Sequence, residues 1–169
     1  MRKMIGVIGN APEGEGVETG TPGAHGGNMD TTLIQEGSTL YLPVNVEGAL
    51  FALGDLHGAM GDGEIGVSGL EIPGEVDVKI EVLKDKKLPL PFLETEDLIV
   101  AIASDPDHKQ AAYNATKNMA EFLVENTKLE IRDAIMLLSI SGDLKVSQVV
   151  NSSVTYRMEL PKRVYENYK

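Results

Sequence analysis

The sequence predicts an α+β fold, mainly β in its first half, with two helices packed among strands in its second. Three observations carry this. Up to residue 83, short apolar runs recur between Gly-, Pro- and Asn-containing turns, the rhythm of a β-barrel or sandwich. From 107 to 141, apolar residues recur at helical spacing. Two further apolar runs, at 144–149 and 154–160, close the domain as strands. The chain has 169 residues, 42% of them hydrophobic, enough for one domain or two small ones sharing a core. The change of character at the turn 84–91 separates a β-rich part, 1–84, from an α+β part, 85–169.

Taken in order, the first strand is expected at 4–8 and ends at Gly9-Asn10. Residues 11–27 form a long segment crowded with Gly, Pro, Glu and Thr, and a loop of that length is mobile or functional. Strands at 31–34 and 40–44 flank the turn Gln35-Glu36-Gly37-Ser38, and another follows at 49–53. Beyond a glycine cluster, 65–72 and 76–83 read as two more strands around Pro73-Gly74. The second of these alternates, with Val76, Val78, Ile80 and Val82 set against Asp77, Lys79, Glu81 and Leu83.

A strand at 98–103 leads to a helix start at Ser104-Asp105-Pro106. The helix, 107–126, buries Ala111, Ala112, Ala115, Met119, Phe122 and Leu123. Thr127-x-x-Glu130 has the capping-box form for a second helix, 128–141, with Ile131, Ala134, Ile135 and Leu138 as its stripe and Gly142 at its end.

Composition excludes several functions. The net charge of −11 argues against a broad basic face, so no nucleic-acid partner is expected. With no cysteine, disulfides, thiolate ligands and a cysteine nucleophile are all ruled out. No apolar run is long enough to span a membrane and no signal peptide is evident, which makes the cytoplasm the default compartment.

The chemistry concentrates in residues 54–64, GDLHGAMGDGE. In alternating geometry Asp55 and His57 project to one face. The glycines let the backbone turn sharply and bring Asp62 and Glu64 back towards them. Carboxylates and an imidazole converging on a point suit a divalent cation such as Zn²⁺. Asp and Gly are also ordinary turn residues, and Asp62-Gly63 is a hairpin signal by itself, so a structural turn cluster is the alternative. A second His and Asp stand in His25-Gly26-Gly27-Asn28-Met29-Asp30, where the bland reading is a polar turn.

Three formal motifs carry nothing. Gly61-x-Gly63-x-x-Gly66 lacks the helix a phosphate cradle needs, and its acids repel phosphate. The 54–64 stretch does not fit an EF-hand, and Gly66-Val67-Ser68-Gly69 only approaches a nucleophile elbow. His108, in the first turn of the long helix, reads as a surface residue.

Together, Gly9-Asn10-Ala11-Pro12, HGGNMD at 25–30, Gly48-Ala49-Leu50-Phe51, the 54–64 stretch, Glu71 and the tail Asp143–Asn151 resemble the acetamidase/formamidase family over nearly the whole chain. Members of that family are usually nearly twice as long. This chain is similar to their C-terminal part, the rest being a β-rich domain. The resemblance implies hydrolysis of short amides, formamide or acetamide, to ammonia and the acid. With no cysteine and no serine elbow, metal-activated water is the natural chemical route. The alternative is a metal-stabilised binding or assembly module that needs the other half for activity.

The resemblance supports the positions, and the roles follow from chemistry. The metal-ligand candidates are His25, Asp55 and His57, with Asp30 next. Glu64 is the candidate general base and Asp62 its rival. Asn28 and the backbone N–H groups around Gly26 and Gly27 are candidates for the substrate oxygen. Zn²⁺ is the first choice of cation and Ca²⁺ the alternative. His25 and His57 are expected within about ten ångströms of each other, since shared ligation needs bonds of roughly two ångströms. A homo-oligomer, or pairing with the missing half, is the expected assembly.

Overall fold

The computed structural model describes residues 1–84 and 87–169, so the expected boundary after residue 84 and part of the turn 84–91 fall outside the described residues. The fold is α+β, and the described residues form two antiparallel sheets and three helices. The smaller sheet has the order β2-β1-β4, from Gly26–Asn28, Met4–Gly9 and Ala52–His57. The larger has the order β3-β5-β6-β8-β7, from Thr39–Tyr41, Phe92–Glu94, Leu98–Asp105, Val154–Pro161 and Asp143–Gln148. Helices α1 (His108–Asn126) and α2 (Ile131–Ser141) join β6 to β7, and the single turn α3 (Lys162–Tyr165) follows β8.

The period of two along β6 divides the core. Ile99, Ala101 and Ala103 enter a cluster with Met119, Phe122, Leu123, Leu137 and Leu138 of the helices. Val100 and Ile102 point the other way, into a cluster with Ile8, Met29, Leu33 and Ile34. Both faces of this strand are therefore dry, and each fully buried aliphatic side chain contributes about 1.5–3 kcal/mol. Phe92 stacks on Phe122 at 4.6 Å between ring centroids, and Phe122 meets Tyr165 at 5.5 Å, which ties α3 to the core.

The helices follow the expected periodicity with local changes. β6 runs on through Asp105, and Asp107 caps α1 by accepting from the Gln110 N–H at 2.8 Å. The capping box at Thr127 does not form. The Thr127 hydroxyl donates to the Leu123 carbonyl at 2.6 Å and accepts from the Leu129 N–H, so it closes the first helix instead. α2 begins at Ile131 behind Glu130 without a side-chain cap. Its buried stripe is Ala134, Leu137 and Leu138, while Ile131 and Ile135 are half exposed.

Three expected strands are absent. Residues 31–34 form a turn closed by Ile34 N–H to Thr31 O, with Thr31 bonded to Ser147 and Thr32 to Asp62. Residues 65–72 open with a turn from Glu64 to Val67, and Val67 sits at φ +67°. Only the end of that segment runs beside β4, through Ile72 N–H to Leu56 O and an isolated bridge between His57 and Glu71. Residues 76–83 pair with no strand among the described residues. In each case β-propensity lacked a neighbouring ladder to reward it. The strand expected at 49–53 lies instead at Ala52–His57, so Asp55 and His57 stand in the sheet itself. Among the described residues, no helix is long and apolar enough to cross a membrane.

Candidate metal centre

The small sheet builds the site around a missing side chain. β1 pairs with β4 on either side of Gly6 and Asp55, through Ile5 with Leu56 and Val7 with Gly54. A Cβ at Gly6 would lie 2.5 Å from Asp30 Oδ1 and 2.5 Å from Asp55 Oδ2. The two carboxylates thus lean into space that only glycine leaves open. Asp30 follows β2, Asp55 and His57 come from β4, and Glu64 arrives on the loop beyond it.

That loop is pinned from the large sheet. Gly63 N–H donates to Ser147 O at 2.8 Å, and Val149 N–H donates back to Gly63 O. Arg157 of β8, fully buried, donates to Asp62 Oδ2 at 2.6 Å, to Glu159 Oε1 at 2.7 Å and to Val146 O and Ser147 Oγ. Asp62 also accepts from Thr32 at 2.8 Å. Although its partial burial opposes ionisation, the Arg157 guanidinium holds its carboxyl below the ordinary range. It is a locked carboxylate, not a free base.

Asp30, His57 and Glu64 are all buried, and one ligand atom from each lies within 4.8 Å of the others. Asp55, His57 and Glu71 form a second such group, sharing the imidazole. His57 Nε2 stands 3.1 Å from Asp55 Oδ1 and 3.0 Å from Glu71 Oε1, so a proton on Nε2 serves both acids. The other nitrogen, Nδ1, then carries a lone pair facing Asp30 Oδ1 at 3.9 Å. That is too far for a hydrogen bond, and neither atom has a partner among the described residues. With side chains about 1% exposed, they are orphaned polar atoms of a kind folded proteins rarely leave.

The donor set fits a divalent cation. His57 Nδ1 and Asp30 Oδ1, close together and without partners among the described residues, would be its ligands. A carboxylate on the far nitrogen of the imidazole is the usual support for a metal-bound histidine. Without a cation, the charges conflict. Burial first, then the Glu64 and Asp55 charges, push the Asp30 carboxyl up to about 7. Burial also raises Glu64 and Asp55. Burial alone would lower His57, but Asp55, Glu71 and Asp30 outweigh it and raise the imidazole.

Backbone strain gathers at the same acids. Of the six non-glycine residues with positive φ among the described residues, three are Asp30 (43°), Asp55 (57°) and Glu64 (48°). A left-handed backbone is uncommon outside glycine and costs on the order of 1–3 kcal/mol each, so the surrounding packing must hold it. Asn28 lies among these carboxylates, and its surroundings assign the amide orientation: NH₂ towards Asp30 Oδ2 (2.9 Å) and Asp55 Oδ2 (3.2 Å), oxygen towards Asn151 (3.1 Å).

His25 joins neither group among the described residues. Its ring lies over Gly23 and Gly27, where a Cβ would meet it at 3.1 and 2.8 Å, and burial lowers its pKa. Glu71 and Asn151 belong to the site but were not singled out as site residues. Both stood in the family-like segments, whereas Arg157, a lone cation in an alternating strand, left no local signal. A cleft of about 630 Å³ opens beside Glu64, with Met60, Asp62 and Ser68 in its wall.

The acetamidase/formamidase family model matches residues 4–167. Among curated relatives, the formamidase of Methylophilus methylotrophus is 38% identical over 86 residues, 50% of this chain and 21% of that protein. The acetamidase of Mycolicibacterium smegmatis is 41% identical over 71 residues, 41% of this chain and 18% of that protein. The structure superposes on an acetamidase from Bacillus halodurans with a TM-score of 0.97 and 54% identity, covering 99% of this chain and 57% of that one. For a predicted acetamidase/formamidase from Thermoanaerobacter tengcongensis the values are 0.95 and 48%, covering 99% and 56%. This chain, spanning little more than half the length of these solved relatives, belongs to the acetamidase/formamidase family.

Proposed function

We propose that the chain carries the hydrolytic centre of an amidase acting on short linear amides, formamide or acetamide, and releasing ammonia and the carboxylate. The observation that supports this most is the pair of orphaned buried donors, His57 Nδ1 and Asp30 Oδ1, beside the buried Glu64. In this reading Asp30 and His57 hold a divalent cation, Zn²⁺ before Ca²⁺. Asp55 and Glu71 fix the imidazole through Nε2. The cation supplies Lewis acidity, lowering the pKa of water and polarising the amide carbonyl.

The protein's own groups do the rest. Glu64 borders the cleft, and burial keeps its carboxyl more basic than usual, which suits it to take a proton from the attacking water. It could then return that proton to the leaving nitrogen, so that ammonia departs neutral. Asp62 is already committed to Arg157 and Thr32, so its part is to hold the loop. In this reading the Asn28 amide, turned to Asp30 and Asp55, positions those carboxylates, and Gly27 is kept as the candidate for orienting the substrate oxygen, the Gly26 N–H being bonded to Gly23 O. His25 packs beside those glycines and takes a positioning role here, not a ligand's. We further propose that the chain works in the cytoplasm and associates, with itself or with the remaining part of the family fold.

Glu64→Gln tests the assignment, because it keeps size and removes a basic oxygen. Ammonia release from formamide and metal content are measured together, on the chain alone and joined to the remaining part of a full-length relative. Hydrolysis should fall by about a hundredfold or more with metal retained. Loss of the metal instead would make Glu64 a ligand. Unchanged hydrolysis would remove the reaction from this cluster.

A further inference from the structure

We infer that the extended segment 77–83 is an interaction surface for a second copy of this chain, pairing antiparallel about a two-fold axis through Ile80. Among the described residues it belongs to no sheet, and no backbone hydrogen bond ties it to another segment. Yet its sequence alternates as a strand does, and its apolar side chains are left in water: Val78 is 46%, Ile80 65% and Val82 70% exposed. An extended backbone with unspent N–H and C=O groups and an apolar residue at every second position is a template for strand addition.

The charges select the occupant. In the register centred on Ile80, that residue faces its own copy and Val78 faces the second copy's Val82. On the opposite face Lys79 meets the second copy's Glu81, and Glu81 meets its Lys79. Moving the axis to Lys79 sets Lys79 against Lys79 and Asp77 against Glu81. Moving it to Glu81 sets Glu81 against Glu81. Like charges directly opposite destabilise a strand pair, and odd shifts oppose apolar to charged faces. One register therefore pairs apolar with apolar on one face and Lys79 with Glu81 on the other, leaving Asp77 beside Leu83 only at its ends, and it is self-complementary. Within a single chain Lys79 Nζ already reaches Glu81 Oε1 at 2.6 Å, with both side chains exposed, so the pair is free to be shared with the copy.

This inference names a surface for the self-association proposed above and does not depend on the hydrolytic reading. The test is sedimentation velocity on the chain and three variants, Lys79→Glu, Glu81→Lys and the double exchange. The parent should sediment as a dimer. Each single reversal should weaken the dimer at least tenfold, and the double exchange should restore it. Because the chain has no cysteine, Ile80→Cys introduces a sole thiol, and mild oxidation should give a disulfide-linked dimer. Leu50→Cys, at another exposed position, should cross-link far less. A monomeric parent would overturn both the surface and the self-association. A dimer indifferent to the single reversals, or one that Ile80→Cys fails to link, would overturn the surface alone.

Discussion

Adding a single methyl group at Gly6 should disable the centre without removing any of its ligands. A Cβ there would sit 2.5 Å from both Asp30 Oδ1 and Asp55 Oδ2, whereas ordinary contact begins near 3.4 Å. Each carboxylate would have to retreat by about 0.9 Å, several times the roughly 0.2 Å by which ligand distances vary in working metal sites. Gly6 is not at positive φ, so the backbone itself tolerates alanine and the effect isolates the carboxylates. Overpacking of this kind costs about 1–3 kcal/mol, leaving most of the fold intact. Metal affinity should fall by about a hundredfold or more, beyond the usual effect of disturbing a supporting residue. The assay is calorimetric titration of the metal-free protein with Zn²⁺, beside urea unfolding. Gly54→Ala is the control, since nothing lies within 4 Å of a Cβ at that position of the same strand pair. A folded Gly6→Ala that binds Zn²⁺ within a fewfold of the parent would refute the idea that the open space at this glycine seats Asp30 to hold an ion and Asp55 to support the imidazole that holds it.

Further outcomes follow from the same structure. Arg157→Met leaves half-buried Asp62 without its cation and buried Glu159 with Lys145 alone, and should cost about 3–5 kcal/mol in urea unfolding. Lys117→Ala, which breaks only an exposed pair with Glu121 on α1, should cost under about 0.5 kcal/mol. Leu138→Ala opens a cavity in the helix-side core and should cost about 2–5 kcal/mol while folded protein keeps its metal content. Tyr41 makes a hydrogen bond to Glu94, and burial together with that carboxylate pushes its phenol up to about 12. The fold therefore binds the phenolic proton more tightly than the unfolded chain, whose tyrosine ionises near 10. That stabilisation is complete below pH about 10 and is lost as the pH rises through 12. Tyr41→Phe should flatten the fall in stability over that window, as read by denaturant unfolding at each pH.

Local physics in the sequence was enough for the α+β class, for α1 and for the strands β6, β7 and β8. Ala111, Ala115, Met119 and Leu123 recur at a period that only a helix can bury. The apolar residues of 98–103 and 154–160 stand in runs that need two dry faces or one. The two Asp-and-His clusters, HGGNMD and GDLHGAMGDGE, were also legible, because glycine, acid and imidazole in such density have few structural uses. Partner-dependent features were not legible. Thr127 and Glu130 fit a capping box, but the free carbonyl of Leu123 lay nearer to the hydroxyl. Residues 65–72 and 76–83 have strand composition, but a strand exists only where another supplies its hydrogen bonds. At the site, sequence order could place Asp55 and His57 on one face, since they lie two positions apart. It could not set Asp30 against Nδ1, bring Glu71 to Nε2, or leave His25 apart over Gly23 and Gly27. Those distances arise from two sheets packing across Ile8, Met29, Val100 and Ile102, and from one buried arginine that ties the Asp62–Glu64 loop to β7 and β8. Propensity and periodicity act over a few residues, whereas the convergence of charge on one buried point is decided by contacts more than a hundred positions apart, such as Thr31 with Ser147.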